Sequence, residues 1–408
     1  MEFNKYRLKD IAKYKNERIE TNQLTTVNYI STENLLPNKQ GKQPANNLPS
    51  SKTVKKYTSS DILISNIRPY FKKIWQANSL GGHSNDVLNI TSINEKISND
   101  YLYYYLSQDK FFQYMTQTSK GTKMPRGDKE AIMEYEIKIP KNIVHQNFIS
   151  SLGKSLDNKI EINKKIIANL EELSQTLFKR WFLDFEFPDE DDTPYKSSGG
   201  EMVDSELGEI PSDWKVGVLS DMTEIIMGQS PKSDTYNNNK VGLPLLNGAS
   251  DFKNRNIKPT KYTSDPKKIG HNLDYVFGVR ATIGLVTELD GEYAIGRGAG
   301  LSKNNEENRE FIYEILNQAF TYFERIGSGS VYINISSKDL KQYKLIIPSK
   351  QVLMKYHYQL EPVFSELHNR KEQITSLTNL RDTLLPKLMS GEIEIPDDIE
   401  VNIDELSI

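Results

Sequence analysis

The sequence predicts an α+β fold: two mixed, strand-rich domains joined by two long, antiparallel, coiled-coil-like helices, with an internal pseudo-two-fold repeat. The repeat is the first observation behind this prediction. The motif Ile137–Pro140 returns as Leu345–Pro348, and the pair Gly121–Thr122 returns as Gly329–Ser330, each 208 residues further along. Self-similarity at about half the chain length indicates a duplicated module.

The second observation is a pair of long apolar patterns, one after each copy of the motif. Across residues 144–182, apolar side chains recur mostly at steps of three, four and seven, as in a coiled-coil seam. Asn163 fills one gap in that seam, where a buried amide fixes helix register. Residues 351–390 repeat the pattern, and Pro362 should kink this copy or start its main segment. Since neither helix can bury its seam alone, we expect the two to pack antiparallel. The seam positions are Ile149, Leu152, Leu156, Ile160, Ile167, Leu170, Leu173 and Leu177, then Leu360, Val363, Leu367, Ile374, Leu377, Leu384 and Leu388.

Both helical patterns end in a matched signature, this time 207 residues apart. It comprises Leu170, Leu173, Thr176 and Leu177 in the first copy, and Leu377, Leu380, Thr383 and Leu384 in the second. Apolar residues outside the seam, such as Phe178, Trp181 and Phe182, also cluster here, and exposed clusters of this kind usually mark an interface. We therefore expect a partner to bind at Phe178, Trp181, Phe182, Leu385 and Leu388.

Short β-branched and apolar runs, the third observation, indicate strands in both halves. They are Asp61–Ile67 and Asp86–Ile90 in the first half and Asp274–Val286 in the second. Helical periodicity follows at Asp100–Met115 and at Glu310–Phe323. The order of these patterns predicts six segments: a strand-rich domain at 1–140, a helix at 141–185, an acidic linker at 186–212, a second strand-rich domain at 213–348, a second helix at 349–391 and an acidic tail at 392–408.

Charge is distributed unevenly along the chain. The net charge is only −3, yet residues 1–140 hold 21 basic and 14 acidic residues, whereas residues 213–348 hold 17 and 16. The acidic excess lies in the linker and the tail, so the first domain is compatible with a polyanionic partner.

With no cysteine, the chain has neither disulfides nor thiolate metal sites. We see no signal peptide and no long apolar run, so we expect a cytosolic chain without a membrane association.

Signatures of catalysis are weak. The phosphate-binding pattern of P-loop proteins is absent, and Gly296–Gly300 reads as a tight turn carrying Arg297. Asp189, Asp213 and Lys215 fit a loose nuclease pattern in which carboxylates hold a divalent metal beside a lysine. This leaves a metal-dependent nuclease or single-chain modification enzyme as an alternative function. The five histidines are dispersed, and no metal site is predicted.

Two loops at matched repeat positions carry the strongest binding signal. Ser119–Lys129 is basic and Gly327–Asp339 is polar. Lysine and arginine can neutralise phosphates, while arginine, asparagine and serine can read base edges. Arginines that close apolar strands or lie in the glycine turn are further candidates, with structural ion pairing as the alternative. The candidate DNA-binding residues are Arg68, Lys120, Lys123, Arg126, Arg280, Arg297, Ser330, Tyr332 and Asn334.

Five motifs, taken in this order, carry a family resemblance. They are Leu170–Phe185, Ser205–Asp221, Met227–Tyr236, Gly278–Gly284 and Leu380–Ile395. With them, nearly the whole chain resembles the specificity (S) subunit of type I restriction-modification systems. The resemblance implies two target recognition domains, at 1–140 and 213–348, separated by conserved helical spacers. Each domain would read one half of a bipartite double-stranded DNA target.

The same resemblance implies partners and leaves catalysis to them. The helices would dock two methyltransferase subunits at fixed spacing, and restriction subunits would join. The chain itself would be a non-catalytic component of a DNA adenine methyltransferase and type I endonuclease complex. S-adenosylmethionine would belong to the methyltransferase, and ATP and magnesium to the restriction partner, with no cofactor on this chain. A coiled-coil adaptor without a DNA role is the remaining alternative.

Overall fold

A computed structural model of the chain describes residues 1–280, 282–326, 335–396 and Ile399. The chain forms two compact units. Unit 1 comprises Met1–Lys164 with Lys371–Ile408, and unit 2 comprises Lys165–Arg370. Each unit therefore contains one stretch of each long helix together with its own strand-rich region.

Unit 1 is built from short strands and four short helices in the described part of its sequence. The strands are β1 (Phe3–Arg7), β2 (Ala12–Tyr14), β3 (Arg18–Glu20), β4 (Tyr29–Ile30), β5 (Thr53–Tyr57), β6 (Ile62–Ser65), β7 (Ile74–Gln76), β8 (Gly81–His83), β9 (Val87–Ser92) and β10 (Glu136–Pro140). The helices are α1 (Leu8–Ile11), α2 (Asn99–Leu106), α3 (Asp109–Gln117) and α4 (Lys129–Met133). Two sheets have the orders β2-β9-β6-β7 and β3-β5-β8-β4, and β1 pairs with β10.

The core of unit 1 joins α2 and α3 to the first of these sheets. Tyr101 and Phe111 are fully buried against sheet residues such as Ile62. Ser98 begins α2 by accepting a hydrogen bond from the Tyr101 backbone N–H (3.1 Å), which satisfies one free donor of the first turn. The long helices close the same core with residues such as Leu388. The sheet is thus held at a fixed position relative to the helices of its own unit.

The two long helices are α5 (Ile143–Phe178), which continues into a π-helical turn at Lys179–Leu183, and α8 (Lys350–Ser390). Within unit 1, successive contacts along α5 meet decreasing residue numbers in α8. Asp157 pairs with Arg381 at 2.6 Å, and the buried Asn163 donates to the Gln373 side chain at 3.2 Å. The antiparallel packing and the buried amide are therefore confirmed.

One of the two alternatives for Pro362 and one predicted seam position are wrong. Pro362 does not start the main segment, because α8 begins at Lys350 and is continuous through the proline. Leu173 does not lie in a seam, since its side chain is 49% exposed.

Unit 2 contains the remaining strands and two further short helices. The strands are β11 (Met202–Ser205), β12 (Gly208–Pro211), β13 (Lys215–Val218), β14 (Glu224–Met227), β15 (Tyr236–Asn237), β16 (Leu243–Gly248), β17 (Lys261–Thr263), β18 (Ile269–Gly270), β19 (Tyr275–Arg280), β20 (Thr282–Glu288), β21 (Tyr293–Lys303) and β22 (Lys344–Ile347). The helices are α6 (Arg309–Ile326) and α7 (Ser337–Lys341). The main sheet has the order β15-β17-β16-β21-β19-β20, with β14 and β18 also pairing with β21. The antiparallel pair β13–β22 repeats the pair β1–β10 of unit 1.

The segment 186–212 is not the simple linker that its acidity predicts. It contains the β11–β12 hairpin and buries Phe187 and Ile210 in the core of unit 2. The Phe187 ring stacks on Trp214 at 4.9 Å between centroids and on Tyr195 at 4.6 Å. These apolar anchors hold the segment in place despite the acidic residues between them.

The predicted partner-binding cluster is also corrected. Phe178, Trp181 and Phe182 are 3–4% exposed and pack in the core of unit 2, where the Phe182 ring lies 4.7 Å from that of Tyr356. Leu385 and Leu388 are equally buried in the core of unit 1. These residues close the cores of their own units because each helix end must cover a sheet, so they are not free to meet a partner.

Candidate nucleic-acid interface

The predicted DNA-binding residues of the first half converge on one surface of unit 1. The backbone N–H of Arg68, just after β6, donates to the carbonyl oxygen of Pro125 at 2.8 Å. The loop that holds Pro125 is closed by reciprocal backbone hydrogen bonds between Lys120 and Arg126, at 2.8 and 2.9 Å. Arg68, Lys120, Lys123 and Arg126 are all exposed, and we call them the basic cluster.

Close packing explains why this loop lies beside β6. The Gly127 N–H donates to the Asn66 carbonyl at 3.0 Å, and a Cβ on Gly127 would approach the Asn66 side-chain oxygen to 2.7 Å. Asp128 then caps α4 by accepting from the backbone N–H groups of Glu130 and Ala131. The loop is therefore anchored at both ends, which fixes the position of its cations.

Two of the four cations already have carboxylate partners. Lys120 Nζ lies 2.5 Å from Asp128, whose hydrogen bond and charge raise the pKa of Lys120. Arg126 Nη2 lies 3.5 Å from Asp86. Among the described residues, Lys123 and Arg68 have no ion-pair partner. A phosphate could bind these two directly, whereas it would exchange with a carboxylate at the other two.

In unit 2 the two predicted arginines lie on neighbouring strands. Arg280 is the last residue of β19, and Arg297 lies within β21. The antiparallel register pairs Phe277 with Gly300 and Gly278 with Ala299, so Arg280 lies just beyond the last residue of β19 that pairs with β21, and Arg297 lies two residues before Ala299 in β21. Both arginines are exposed.

The predicted tight turn at Gly296–Gly300 is wrong, because these residues form the middle of β21. The glycines instead permit close strand packing. A Cβ on Gly296 would meet the Asn247 side chain at 2.3 Å, and one on Gly298 would meet the Asn247 carbonyl oxygen at 2.3 Å.

Sequence reasoning missed two exposed polar residues next to β21, Gln229 and Asn247. The Gln229 N–H donates to the Ile295 carbonyl at 3.0 Å, and the preceding Gly228 N–H donates to that of Ala299 at 2.9 Å. Both side chains are exposed, and both residues lie in segments bonded to or paired with β21. Asparagine, glutamine and arginine are the residue types that bind base edges with two hydrogen bonds. The glycine before Gln229 was the available signal, since it marks a close backbone approach.

The remaining predicted residues, Ser330, Tyr332 and Asn334, lie outside the described residues. One of the proposed nuclease residues, Asp189, has a structural role in its own loop. Asp189 accepts hydrogen bonds from Asp191 and from the backbone and hydroxyl of Thr193, which organise its own loop and lower its pKa. Over the described ranges, no group of three or more His, Asp or Glu side chains could hold a metal ion. No helix in the same ranges is both long enough and apolar enough to span a membrane.

Comparison with known proteins identifies the family. The model of the type I restriction modification DNA specificity domain matches residues 1–172 and 211–375. The type I restriction enzyme MjaIX specificity subunit of Methanocaldococcus jannaschii is 25% identical over 317 residues, covering 74% of this chain and 70% of the relative. The HindI specificity subunit of Haemophilus influenzae is 23% identical over 465 residues, covering 96% of this chain and 100% of the relative.

A solved structure shares the fold. The crystal structure of the type I restriction-modification S subunit from M. genitalium superposes with a TM-score of 0.60 at 16% identity, over 98% of this chain and 97% of that one. Because the family model matches both halves and most of the chain, the chain belongs to the type I restriction-modification DNA specificity family and is the specificity subunit of such a system.

Proposed function

We propose that each unit reads one half of a bipartite double-stranded DNA target. The observation that carries this proposal is the placement of cations at equivalent strand ends. In unit 1 the basic cluster includes Arg68, just beyond β6, and in unit 2 Arg280 ends β19, which pairs with the strand β21 that carries Arg297. Two separate cationic surfaces with polar side chains suit two separate readouts, with phosphates giving affinity and base edges giving specificity.

Binding to a panel of duplexes by the specificity subunit in complex with its methyltransferase tests this proposal. We expect Lys123→Ala to weaken binding to all sequences alike and to lower the salt slope by about one, as for a lost phosphate contact. Lys13→Ala is the matched control, because Lys13 is exposed on β2 and pairs with Thr91 at the far end of β9. Equal effects of the two substitutions would contradict the assignment of the basic cluster.

We further propose that the chain is non-catalytic and docks two methyltransferase subunits, with restriction subunits joining the assembly. The docking surface must differ from the buried cluster at the helix ends. Leu173 and Leu380 are equivalent in the repeat, 207 residues apart, and are 49% and 48% exposed. An exposed leucine at the same position of both long helices suits two copies of one partner. In this proposal S-adenosylmethionine is bound by the methyltransferase, and ATP and magnesium by the restriction subunit.

The stoichiometry of the purified complex tests the docking proposal. Leu173→Glu or Leu380→Glu should each reduce two bound methyltransferase subunits to one, because a buried charge without a partner strongly opposes association. Val203→Glu, an exposed residue of the β11–β12 hairpin, is the control and should keep two. Light scattering coupled to size-exclusion chromatography gives the count. Full occupancy in both leucine variants would place the docking surface elsewhere.

A further inference from the structure

The turn between β6 and β7 presents two aromatic rings to solvent. Tyr70 is 48% exposed and Phe71 is 39% exposed. Their rings pack on each other, with centroids 4.8 Å apart and planes inclined by 54°. Exposed apolar groups with polar surroundings commonly mark a binding surface.

The backbone holds this ring pair in a defined and strained conformation. Pro69–Phe71 forms a single 3₁₀ turn, flanked by Arg68 at φ 49° and Lys72 at φ 52°. Left-handed conformations at two non-glycine residues are costly, and such strain is concentrated at functional sites. The Phe71 carbonyl also accepts from the Asn38 N–H at 2.8 Å, which ties the turn to a neighbouring loop.

The charge around the rings indicates what they meet. Arg68 precedes the turn and is bonded through its backbone to Pro125 in the basic loop. The residue before Pro125, Met124, is also 48% exposed. On the other side of the turn, Lys72 is paired with Asp109 at 2.8 Å. Exposed apolar groups in segments that also carry Arg68, Lys123 and Arg126 are complementary to a polyanion that itself exposes apolar groups. Duplex DNA has both features, since phosphates flank grooves in which thymine methyl groups are exposed.

We propose that the Tyr70–Phe71 ring pair reads a thymine methyl group in the half-site recognised by unit 1. This inference rests on the proposed function and adds to it an apolar specificity contact that the cations cannot provide. Insertion of the two rings between base pairs fits their geometry less well than contact with a methyl group in the groove. Successive base pairs are about 3.4 Å apart, and two mutually inclined rings form a convex surface instead of a single flat plate.

The experiment uses the specificity subunit bound to its methyltransferase and duplexes in which each thymine of the unit 1 half-site is replaced by deoxyuridine. Removing one methyl group from an apolar contact costs about 0.8 kcal/mol, which corresponds to a roughly fourfold loss of affinity. We expect this loss at one thymine at least in the wild-type complex. Phe71→Ala should bind more weakly and should no longer distinguish thymine from deoxyuridine there, while discrimination at the other half-site is unchanged.

Three variants keep the test interpretable. Tyr70→Phe retains the ring and should behave as wild type, whereas a loss would assign the contact to the hydroxyl and overturn the inference. Phe71→Leu keeps an apolar side chain and should preserve most of the binding, which separates loss of contact from loss of folding. Ile93→Ala is the matched control, because Ile93 is 51% exposed just beyond β9, at the end of the sheet away from Arg68. It should leave binding unchanged.

The outcomes separate this inference from the function on which it rests. If every deoxyuridine duplex binds like its parent, or if the half-site contains no thymine, the ring-pair inference is overturned while sequence-specific binding stands. A rise in fluorescence of 2-aminopurine placed in the half-site, abolished by Phe71→Ala, would indicate unstacking and would also overturn it. If the complex shows no preference among duplexes at all, the proposed function itself fails.

Discussion

In unit 1, Asp157 of α5 accepts a hydrogen bond from Tyr104 at 2.8 Å and pairs with Arg381 of α8 at 2.6 Å. In unit 2, the residues 207 positions away from Asp157 and Arg381 are Phe364 and Ser174. There, the Phe364 ring packs edge-on against Tyr313 at 5.4 Å, and Ser174 donates to the buried Glu314 at 2.7 Å. The same helix positions thus hold an ion pair in one unit, and an aromatic contact together with a hydroxyl–carboxylate hydrogen bond in the other.

This difference shows which parts of a duplicated fold are constrained. The apolar positions keep their roles, since Phe178, Trp181 and Phe182 correspond to Leu385, Leu388 and Met389, and all six are buried. The polar positions differ between the units, since Asp157 and Arg381 of unit 1 correspond to Phe364 and Ser174 of unit 2. Burial alone would lower the pKa of Arg381, but Asp157 and Asp382 outweigh it and raise that pKa. Packing density constrains apolar residues strongly, whereas a buried ion pair and an apolar pair can be close in free energy.

The largest expected effect concerns the shared apolar positions. Trp181→Ala should lower the free energy of unfolding by about 3–5 kcal/mol, and Leu388→Ala by about 2–5 kcal/mol, as for large-to-small core substitutions. Hydrogen exchange should locate the first loss in unit 2 and the second in unit 1. If Trp181→Ala is as stable as wild type but fails to bind a methyltransferase, the burial of this residue would be contradicted. Trp181 would then contact the partner, as the sequence predicts.

The next effect tests the exchange of an ion pair for apolar packing. Asp157→Ala should destabilise unit 1 by about 2–3 kcal/mol, because Arg381 would lose one of its two carboxylate partners and keep only Asp382. Partial exposure of the site to solvent limits the loss. The double variant Asp157→Phe with Arg381→Ser imitates unit 2 and should recover to within about 1 kcal/mol of wild type. Urea unfolding with hydrogen exchange of unit 1 peptides gives both values. If the double variant is no better than Asp157→Ala, the two chemistries are not interchangeable.

The sequence predicted much of the scaffold because periodic apolar patterns are local signals. The bounds of α5 and α8, their antiparallel packing and the buried Asn163 could all be predicted from such patterns. The Asp157–Arg381 pair joins residues far apart in sequence, so no local pattern indicated it. Similarly, the glycines around Arg297 are typical of a turn, although in the fold they allow the close approach of Asn247 to β21. The burial of Phe178, Trp181 and Phe182 depended on which sheet the helix end covers, which periodicity does not specify.

A smaller effect, on DNA-binding affinity, should distinguish the contributions of unit 1 and unit 2. Arg126→Ala should cost about 1–3 kcal/mol at positions of one half-site only, and Arg297→Ala should do the same at the other. Both side chains are exposed, so folding should be preserved. Binding to single-base variants of each half-site, at two salt concentrations, distinguishes base contacts from phosphate contacts. A substitution that relaxes both half-sites would contradict separate readout by the two units.

Mapping methylated bases by long-read sequencing, in cells that carry the complete system, tests the central claim most directly. The claim is that each unit reads its own half of one target. The predicted result is a methylated motif of two short defined sequences separated by a spacer of fixed length and unspecified bases, with Arg126→Ala changing one defined part and Arg297→Ala the other. A single uninterrupted motif, or a motif in which both substitutions alter the same part, would contradict the account.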